Sequence, residues 1–137
     1  MKRLNAYLYF GGNCREAMQF YKECLGGELR LMTIKESPMA AQMPPAAQDK
    51  VMHAALESDG MVIMASDMIG PEAVVKGNAV SLCINATSKK EIESYFPKLS
   101  AGGKIKTALR EEFFGTYGNF TDKFGIDWMF QADPPKP

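Results

Sequence analysis

A unit made of a strand, a helix and further strands occurs twice in this 137-residue chain, and this repeat limits the possible folds more than any other feature. Each helix is predicted to begin at a capping box, in which an N-cap side chain is followed three residues later by a glutamate. The first capping box is Asn13 with Glu16, and the second is Ser88 with Glu91. The matching caps indicate one α+β unit that has been duplicated.

Apolar side chains recur at helical spacing after each cap and predict one buried stripe per helix. Glycine pairs follow both stripes and can take the positive φ that ends a helix at little steric cost. The alternative is that two amphipathic helices became similar by chance. The stripes are Ala17, Phe20, Tyr21 and Cys24, then Ile92, Tyr95, Phe96 and Leu99, and the glycine pairs are Gly26-Gly27 and Gly102-Gly103.

Most of the remaining chain is predicted to form strands, with Asp59-Gly60 as a tight hairpin turn and Trp128 as a core anchor. The segment from Ser37 to Asp49 has no periodicity and predicts a loop that could form a lid. Pro97 falls inside the second stripe and predicts a kink or an early helix end. The predicted strands are Asn5 to Phe10, Glu28 to Ile34, Val51 to Ser58, Met61 to Ser66, Ala79 to Asn85, Lys104 to Glu112, Asn119 to Thr121 and Ile126 to Phe130.

Composition favours a soluble protein in a reducing cytoplasm. Lys+Arg and Asp+Glu both number 16, so there is no net charge to attract nucleic acid or an anionic membrane. The three cysteines form no C-x-x-C pair, which argues against a disulfide framework or a zinc knuckle. No stretch has the length of a signal-peptide core or a membrane span. A small neutral or mixed-charge organic ligand is therefore the expected partner.

Strand alternation predicts which side chains line a ligand pocket. If Val80, Leu82 and Ile84 join the core, the residues between them face the pocket. The predicted floor is apolar, with tyrosine, serine and thiol groups around it, which suits a planar or partly aromatic molecule. Alternatively, the tyrosines pack inside a barrel formed by the strands or in a dimer interface. The predicted lining residues are Asn5, Tyr7, Tyr9, Met64, Ala79, Ser81, Cys83 and Met129.

Two residues are candidates for acid-base chemistry. His53 is the only histidine, and its proton can move near neutral pH, although a lone strand histidine is often structural. Glu111 could orient or deprotonate a ligand if it faces a cavity, or it could be a solvated charge on an edge strand. Convergence of His53 and Glu111 would strengthen a catalytic interpretation. Cys83 has no basic neighbour in the sequence that would favour a nucleophilic thiolate.

Four segments occur in order along the chain, namely Phe10 to Ala17, Asp49 to Ala54, Ile63 to Asp67 and Tyr117 to Trp128. Together they give the chain a resemblance to the vicinal oxygen chelate superfamily, which includes glyoxalase I, extradiol dioxygenases and bleomycin- and fosfomycin-resistance proteins. It is most similar to the PhnB-like group. The resemblance implies two βαβββ modules in one domain, about residues 1–70 and 77–131, that form a curved half-barrel sheet with helices on the convex side. It also implies a homodimer, and residues 132–137 are expected to form a flexible tail.

Enzymes of that superfamily commonly hold a divalent metal with His, Glu or Gln from four strands. The corresponding positions here carry amide, methyl or thioether groups, which are poor ligands for such ions. No cofactor is therefore expected, and a divalent metal is disfavoured. These positions are Asn5 or Ala6, the neighbourhood of Met64, Asn78 or Ala79, and Met129.

Three functions are compatible with these observations. The favoured one is a metal-independent small-molecule-binding protein of the glyoxalase/bleomycin-resistance type. The second is a metal-dependent lyase, isomerase or dioxygenase with unconventional ligands such as His53 and Glu111. The third is the ubiquinone-pathway methyltransferase activity with which some PhnB-like proteins are labelled. The chain lacks the glycine-rich strand-to-helix turn expected for a nucleotide-like methyl donor.

Overall fold

A computed structural model describes residues 2–70 and 73–134 of the chain. The chain divides into two compact units, Met1–Val75 and Lys76–Pro137. The first contains β1 (Ala6–Phe10), α1 (Cys14–Leu25), β2 (Glu28–Thr33), β3 (Val51–Ser58) and β4 (Met61–Asp67). The second contains β5 (Leu82–Ala86), α2 (Lys89–Ser100), β6 (Lys104–Glu112), β7 (Gly115–Thr121) and β8 (Asp127–Ala132). Residues 135–137 of the predicted tail lie outside the described residues.

Each unit has one four-stranded mixed sheet, and the two sheets have the same topology. The strand order is β1-β4-β3-β2 in the first and β5-β8-β7-β6 in the second. In both sheets the opening strand pairs in parallel with the last strand, while the other pairs are antiparallel. The predicted α+β fold with a repeated βαβββ module is therefore confirmed. None of the described helices is long and apolar enough to cross a membrane.

Each helix buries its apolar stripe against one face of its own sheet. Phe96 of α2 meets Phe120 of β7 edge to face, with ring centroids 5.0 Å apart. Trp128 is fully buried, which confirms its predicted role in the core. Phe20 and Tyr95 lie at the stripe margins and remain half-buried. Buried helix residues from the predicted stripes are Ala17, Tyr21, Cys24, Ile92, Phe96 and Leu99.

The two helices begin differently, so one of the predicted capping boxes is wrong. Ser88 Oγ accepts a hydrogen bond from the Glu91 amide at 3.2 Å, as a capping box requires. Asn13 makes no side-chain cap. At this helix the Asp67 carboxylate, from the end of β4, accepts hydrogen bonds from the amides of Gly12 and Cys14. An acceptor distant in sequence therefore replaces the local cap.

The predicted glycine stops are present at the ends of both helices. Gly26, Gly27 and Gly102 have φ of 74°, 93° and 77°, values that favour glycine. The second glycine of each pair also packs against backbone. A Cβ on Gly27 would lie 2.1 Å from the Glu57 carbonyl oxygen, and one on Gly103 would lie 2.2 Å from that of Thr121. In both units, therefore, the backbone that follows the helix passes so close to a strand that only glycine fits there.

Three other local predictions require correction. Helix α2 continues through Pro97 to Ser100, so the predicted early helix end is wrong. Pro97 lies on the exposed side of the helix, where water can bond to the carbonyl that the missing N–H leaves unpaired. Strand β5 begins at Leu82, so Val80 lies outside it and is 76% exposed instead of buried. Strand β7 begins at Gly115, four residues before its predicted start at Asn119, because backbone pairing with β6 does not require a side-chain pattern.

The segment predicted as a possible lid is tied at its base. The amides of Ile34 and Lys35 donate to the carbonyls of Lys50 and Gln48, respectively. The Gln48 side chain also donates to the Ala40 and Met43 carbonyls at 2.9 Å. The loop contains two short 3-10 turns, Ala40–Gln42 and Pro45–Ala47. These internal bonds favour a fixed Ω-type loop over a free lid.

Candidate functional site

The face of the first sheet opposite α1 exposes aromatic side chains. Along β1, Phe10 is buried on the helix side, whereas Tyr7 and Tyr9 are 39% and 50% exposed on the other side. We call this other side the open face of the first sheet. Two exposed tyrosines at alternate strand positions form an apolar surface with polar tips, which is typical of ligand contacts.

Sheet register brings His53 and Met64 next to these tyrosines. The Tyr7 ring lies 5.2 Å from the Tyr9 ring and 6.0 Å from the His53 ring, measured between centroids. Met64 of β4 is the direct register partner of Tyr7. We call Tyr7, Tyr9, His53 and Met64 the tyrosine-histidine cluster. Four of the predicted site residues are therefore neighbours on one face.

Small side chains lie beside Met64 and Tyr9 on this face. Ala55 pairs with Met64 on one side and with Arg30 on the other, and Ser66 pairs with Tyr9. Met32 of β2 pairs with His53 and is exposed. The open face thus has small side chains at Ala55 and Ser66, with larger side chains around them. Arg30 and Met32 were not predicted as site residues, although the alternation of β2 places both on this face.

Other predicted site residues lie elsewhere. Asn5 precedes β1 and lines a polar cavity of about 650 Å³ at the other end of the sheet, beside Glu28, Glu57 and Asp59. Ser81 precedes β5 and is exposed, so strand alternation does not orient it. Asn78 and Ala79 also lie before β5. The late start of this strand explains why these positions do not form part of a strand-lined site.

Cys83 and Met129 are register partners on the face of the second sheet opposite α2, which we call the open face of the second sheet. Burial raises the pKa of the Cys83 thiol, which keeps it protonated at neutral pH. Cys14 at the start of α1 is buried, and burial followed by the charge of Asp67 raises its pKa to about 12. These effects disfavour nucleophilic catalysis by either thiol.

Glu111 is paired with a lysine of the neighbouring helix. Its Oε1 atom accepts a hydrogen bond from Lys89 Nζ at 2.6 Å, and both side chains are exposed. The hydrogen bond and charge of Lys89 lower the pKa of Glu111. Because β6 is an edge strand, this geometry matches the alternative of a solvated edge-strand charge. Glu111 is therefore held by a lysine of α2 in its own unit.

Polar side chains continue along the open face of the second sheet. Asp127 Oδ1 accepts hydrogen bonds from Thr121 Oγ1 at 2.5 Å and from Lys106 Nζ at 3.1 Å. The Thr121 bond is the largest cause of its lowered pKa, and Lys106 adds to the effect. These bonds stabilise the ionised carboxylate in the folded state.

We expect Asp127→Asn to lower the free energy of unfolding by about 1 kcal/mol at neutral pH, since charge-assisted hydrogen bonds are weakened. A lowered folded-state pKa contributes stability that is present above the unfolded value, near 3.8, and is lost as the pH falls through the folded value. The difference between wild type and Asp127→Asn should therefore shrink below pH 3.8. Urea unfolding at several pH values measures this difference in unfolding free energy, and Asp49→Asn, at an exposed position, is the control. A difference that grows as the pH falls would contradict a stabilising role of the ionised Asp127 carboxylate.

The donor groups of the central register pairs on the two open faces do not fit the divalent metal that the superfamily resemblance implies. The central register pairs are Tyr7 with Met64 and Cys83 with Met129. They supply a phenol, a protonated thiol and two thioethers, whereas hard and borderline ions prefer carboxylate and imidazole. Within residues 2–70 and 73–134, no three His, Cys, Asp or Glu side chains are grouped so as to hold an ion.

Known proteins share both the sequence pattern and the fold. A family profile described as 3-demethylubiquinone-9 3-methyltransferase matches residues 2–131. Protein PA1353 from Pseudomonas aeruginosa is 35% identical, with a TM-score of 0.87, over 98% of this chain and 100% of that chain. The PhnB protein from Bacillus cereus is 25% identical, with a TM-score of 0.75, over 96% of this chain and 99% of that chain.

The fosfomycin resistance protein FosX from Listeria monocytogenes is a more distant structural neighbour. It is 12% identical, with a TM-score of 0.65, over 96% of this chain and 93% of that chain. At this identity the similarity concerns the glyoxalase-like fold alone. The chain therefore belongs to the family described as 3-demethylubiquinone-9 3-methyltransferase, the PhnB-like group with the glyoxalase-like fold.

Proposed function

We propose that this protein binds a planar, partly aromatic small molecule on the open face of the first sheet, without a divalent metal. The observation that carries the proposal is the tyrosine-histidine cluster, where the exposed Tyr7 ring lies 5.2 Å from the Tyr9 ring and 6.0 Å from the His53 imidazole. The small side chains of Ala55 and Ser66 leave room for a flat ring between the larger ones. Stacking on the tyrosines and hydrogen bonds from their hydroxyls would orient the ligand. We also propose that the protein is a homodimer, as the resemblance implies, and that it is located in the reducing cytoplasm that its cysteine content favours.

The metal-ligand groups of the open faces and the amides at the start of α1 argue against the two alternative functions. Thioether and phenol groups give little support for a metal-dependent lyase, isomerase or dioxygenase. For the methyltransferase in the family's description, a nucleotide-like donor often uses free amides at a helix N-terminus. At α1 the Gly12 and Cys14 amides already donate to Asp67. Calorimetry with S-adenosylmethionine should accordingly show no binding, and saturable binding would favour the methyltransferase.

A thermal-shift screen in the presence of a chelator tests the proposed function. The compounds are quinones, dicarbonyl-thiol adducts and glycopeptide drugs, and divalent metals form a separate arm. A ligand that binds the folded state raises the melting temperature with the logarithm of its concentration. We expect a planar aromatic compound to do so with chelator present. Stabilisation only by a metal, with metal retained through purification, would contradict the proposal.

Tyr7→Ala should weaken binding of the best planar ligand from that screen by about tenfold, because removing one stacking surface costs roughly 1.4 kcal/mol. Tyr7→Phe retains the ring and should retain most of the affinity. Titration calorimetry measures the change. The matched control is Tyr95→Ala, on the half-buried margin of α2, which should bind normally. Equal affinities for Tyr7→Ala and wild type would contradict a site at this cluster.

A further inference from the structure

The turn between β6 and β7 has an unusual composition. Glu112 pairs directly with Gly115, so Phe113 and Phe114 form the two-residue tip of a hairpin. Such tips normally carry Asn, Asp or Gly. Phe113 is 94% exposed, and Phe114 is also exposed. Two aromatic side chains at an exposed turn contradict the local preference, and such contradictions concentrate at functional sites.

Gly115 fixes the position of this tip against the end of β8. Its φ is 127°, and an added Cβ would lie 1.8 Å from the Ala132 carbonyl oxygen. The Phe114 ring packs edge to face with Phe113 at 5.3 Å and with Tyr117 at 6.2 Å. Close backbone contact and ring packing therefore hold Phe114 in place beside the ends of β5 and β8.

Phe114 forms one wall of a cavity of about 430 Å³. The opposite side carries two carboxamides from neighbouring strands, since Asn85 of β5 pairs with Gln131 of β8. Gln131 Nε2 donates to Asn85 Oδ1 at 2.7 Å. The Asn85 amide group and Gln131 Oε1 make no hydrogen bond within the described part of the chain, so a donor and an acceptor are available in the cavity.

The charged residues that line this cavity indicate which class of ligand it can bind. Asp133 contributes a carboxylate, and no Lys, Arg or His lines the cavity among residues 2–70 and 73–134. Anions are therefore disfavoured, and groups with N–H donors are favoured. A flat ring would pack on Phe114, while a cis-amide edge would present the N–H and C=O that two carboxamides complement.

We propose that this cavity, lined by Phe114, Asn85 and Gln131, is a second ligand site that binds a flat heterocycle with a cis-amide edge, as in uracil. It lies within the second unit and uses none of the tyrosine-histidine cluster. A result that contradicts this second site therefore leaves the function proposed for the first sheet unaffected, and the reverse also holds.

Uracil and 1,3-dimethyluracil are the matched probes, because methylation blocks the ring N–H groups and leaves the ring flat. In ¹⁵N-labelled protein, we expect uracil to shift the side-chain amide signals of Asn85 and Gln131 in a saturable way. The dimethyl compound should bind at least about tenfold more weakly, since the amide groups lose their partners. Absence of a saturable shift with millimolar uracil, or equal binding of both probes, would overturn the proposal.

Variants locate the site. Phe114→Leu keeps apolar volume but removes the ring, and it should weaken uracil binding by roughly tenfold. Gln131→Met removes the hydrogen-bonding groups at similar length and should weaken it to a similar degree. Tyr7→Ala is the control, because Tyr7 lies in the first unit and does not line the cavity. Loss of uracil binding in Tyr7→Ala, or tighter binding of tetramethylammonium than of uracil, would overturn the assignment of this cavity as a site for a flat heterocycle.

Discussion

Replacing Asp67 with alanine should lower the free energy of unfolding by roughly 3–5 kcal/mol, because it leaves three backbone donors without a partner. Asp67 is 4% exposed. Its Oδ1 atom accepts hydrogen bonds from the amides of Gly12 and Cys14, each at 3.0 Å, and Oδ2 accepts one from Val51 at 2.9 Å. This carboxylate joins the ends of β1 and β4 to the starts of α1 and β3. Urea unfolding followed by circular dichroism measures the loss.

Two further substitutions distinguish the hydrogen bonds from a general effect of losing charge. Asp67→Asn keeps one acceptor but turns an NH₂ group toward a backbone donor, so it should also destabilise, by about 2 kcal/mol. Asp49→Ala removes an exposed carboxylate and should change stability by less than about 0.5 kcal/mol. A loss of under about 1 kcal/mol for Asp67→Ala would show that the carboxylate does not hold this junction.

Gly27→Ala and Gly103→Ala should each destabilise the protein by about 3 kcal/mol or more. In both cases the new Cβ would meet a carbonyl oxygen of the sheet, at 2.1 Å for Gly27 and 2.2 Å for Gly103, so the backbone must move. Gly27 also has positive φ, which adds strain for alanine. Thermal and urea unfolding of the two variants measure the effect in each repeat separately.

The preceding glycines provide matched controls. A Cβ on Gly26 meets nothing within 4 Å, and one on Gly102 is 3.4 Å from the Lys123 side chain. Their positive φ values should cost about 1–2 kcal/mol as alanine. The second glycine of each pair should therefore be the more sensitive one in both units. If alanine destabilised the protein more at the first glycine than at the second in either unit, the close contact between the second glycine and the strand carbonyl would be contradicted.

Repetition made the fold predictable from the sequence. The apolar stripes and glycine pairs depend on local spacing, and both predict helices that the structure confirms. The Asn13 cap was wrong because Asp67, far along the chain, provides a better acceptor for the same amides. Strand β5 was extended too far because Val80 fits the alternation but lies before the backbone pairing begins.

The candidate site was predictable only where a single strand determines it. Alternation within β1 placed Tyr7 and Tyr9 on one face, but the position of Met32 beside His53 depends on pairing between strands. The Lys89 partner of Glu111 depends on how α2 packs near β6, which no local pattern encodes. The aromatic turn at Phe114 was absent from the sequence-based site because a two-residue hairpin with that composition is not a usual turn signal.

Calorimetry of the best planar ligand, with chelator present, tests the central claim most directly. A metal-independent site at the tyrosine-histidine cluster predicts the same affinity with and without chelator, and about tenfold weaker binding by Tyr7→Ala. Metal content of the same sample is measured alongside. Binding that disappears with chelator and returns with a stoichiometric divalent ion would contradict the account.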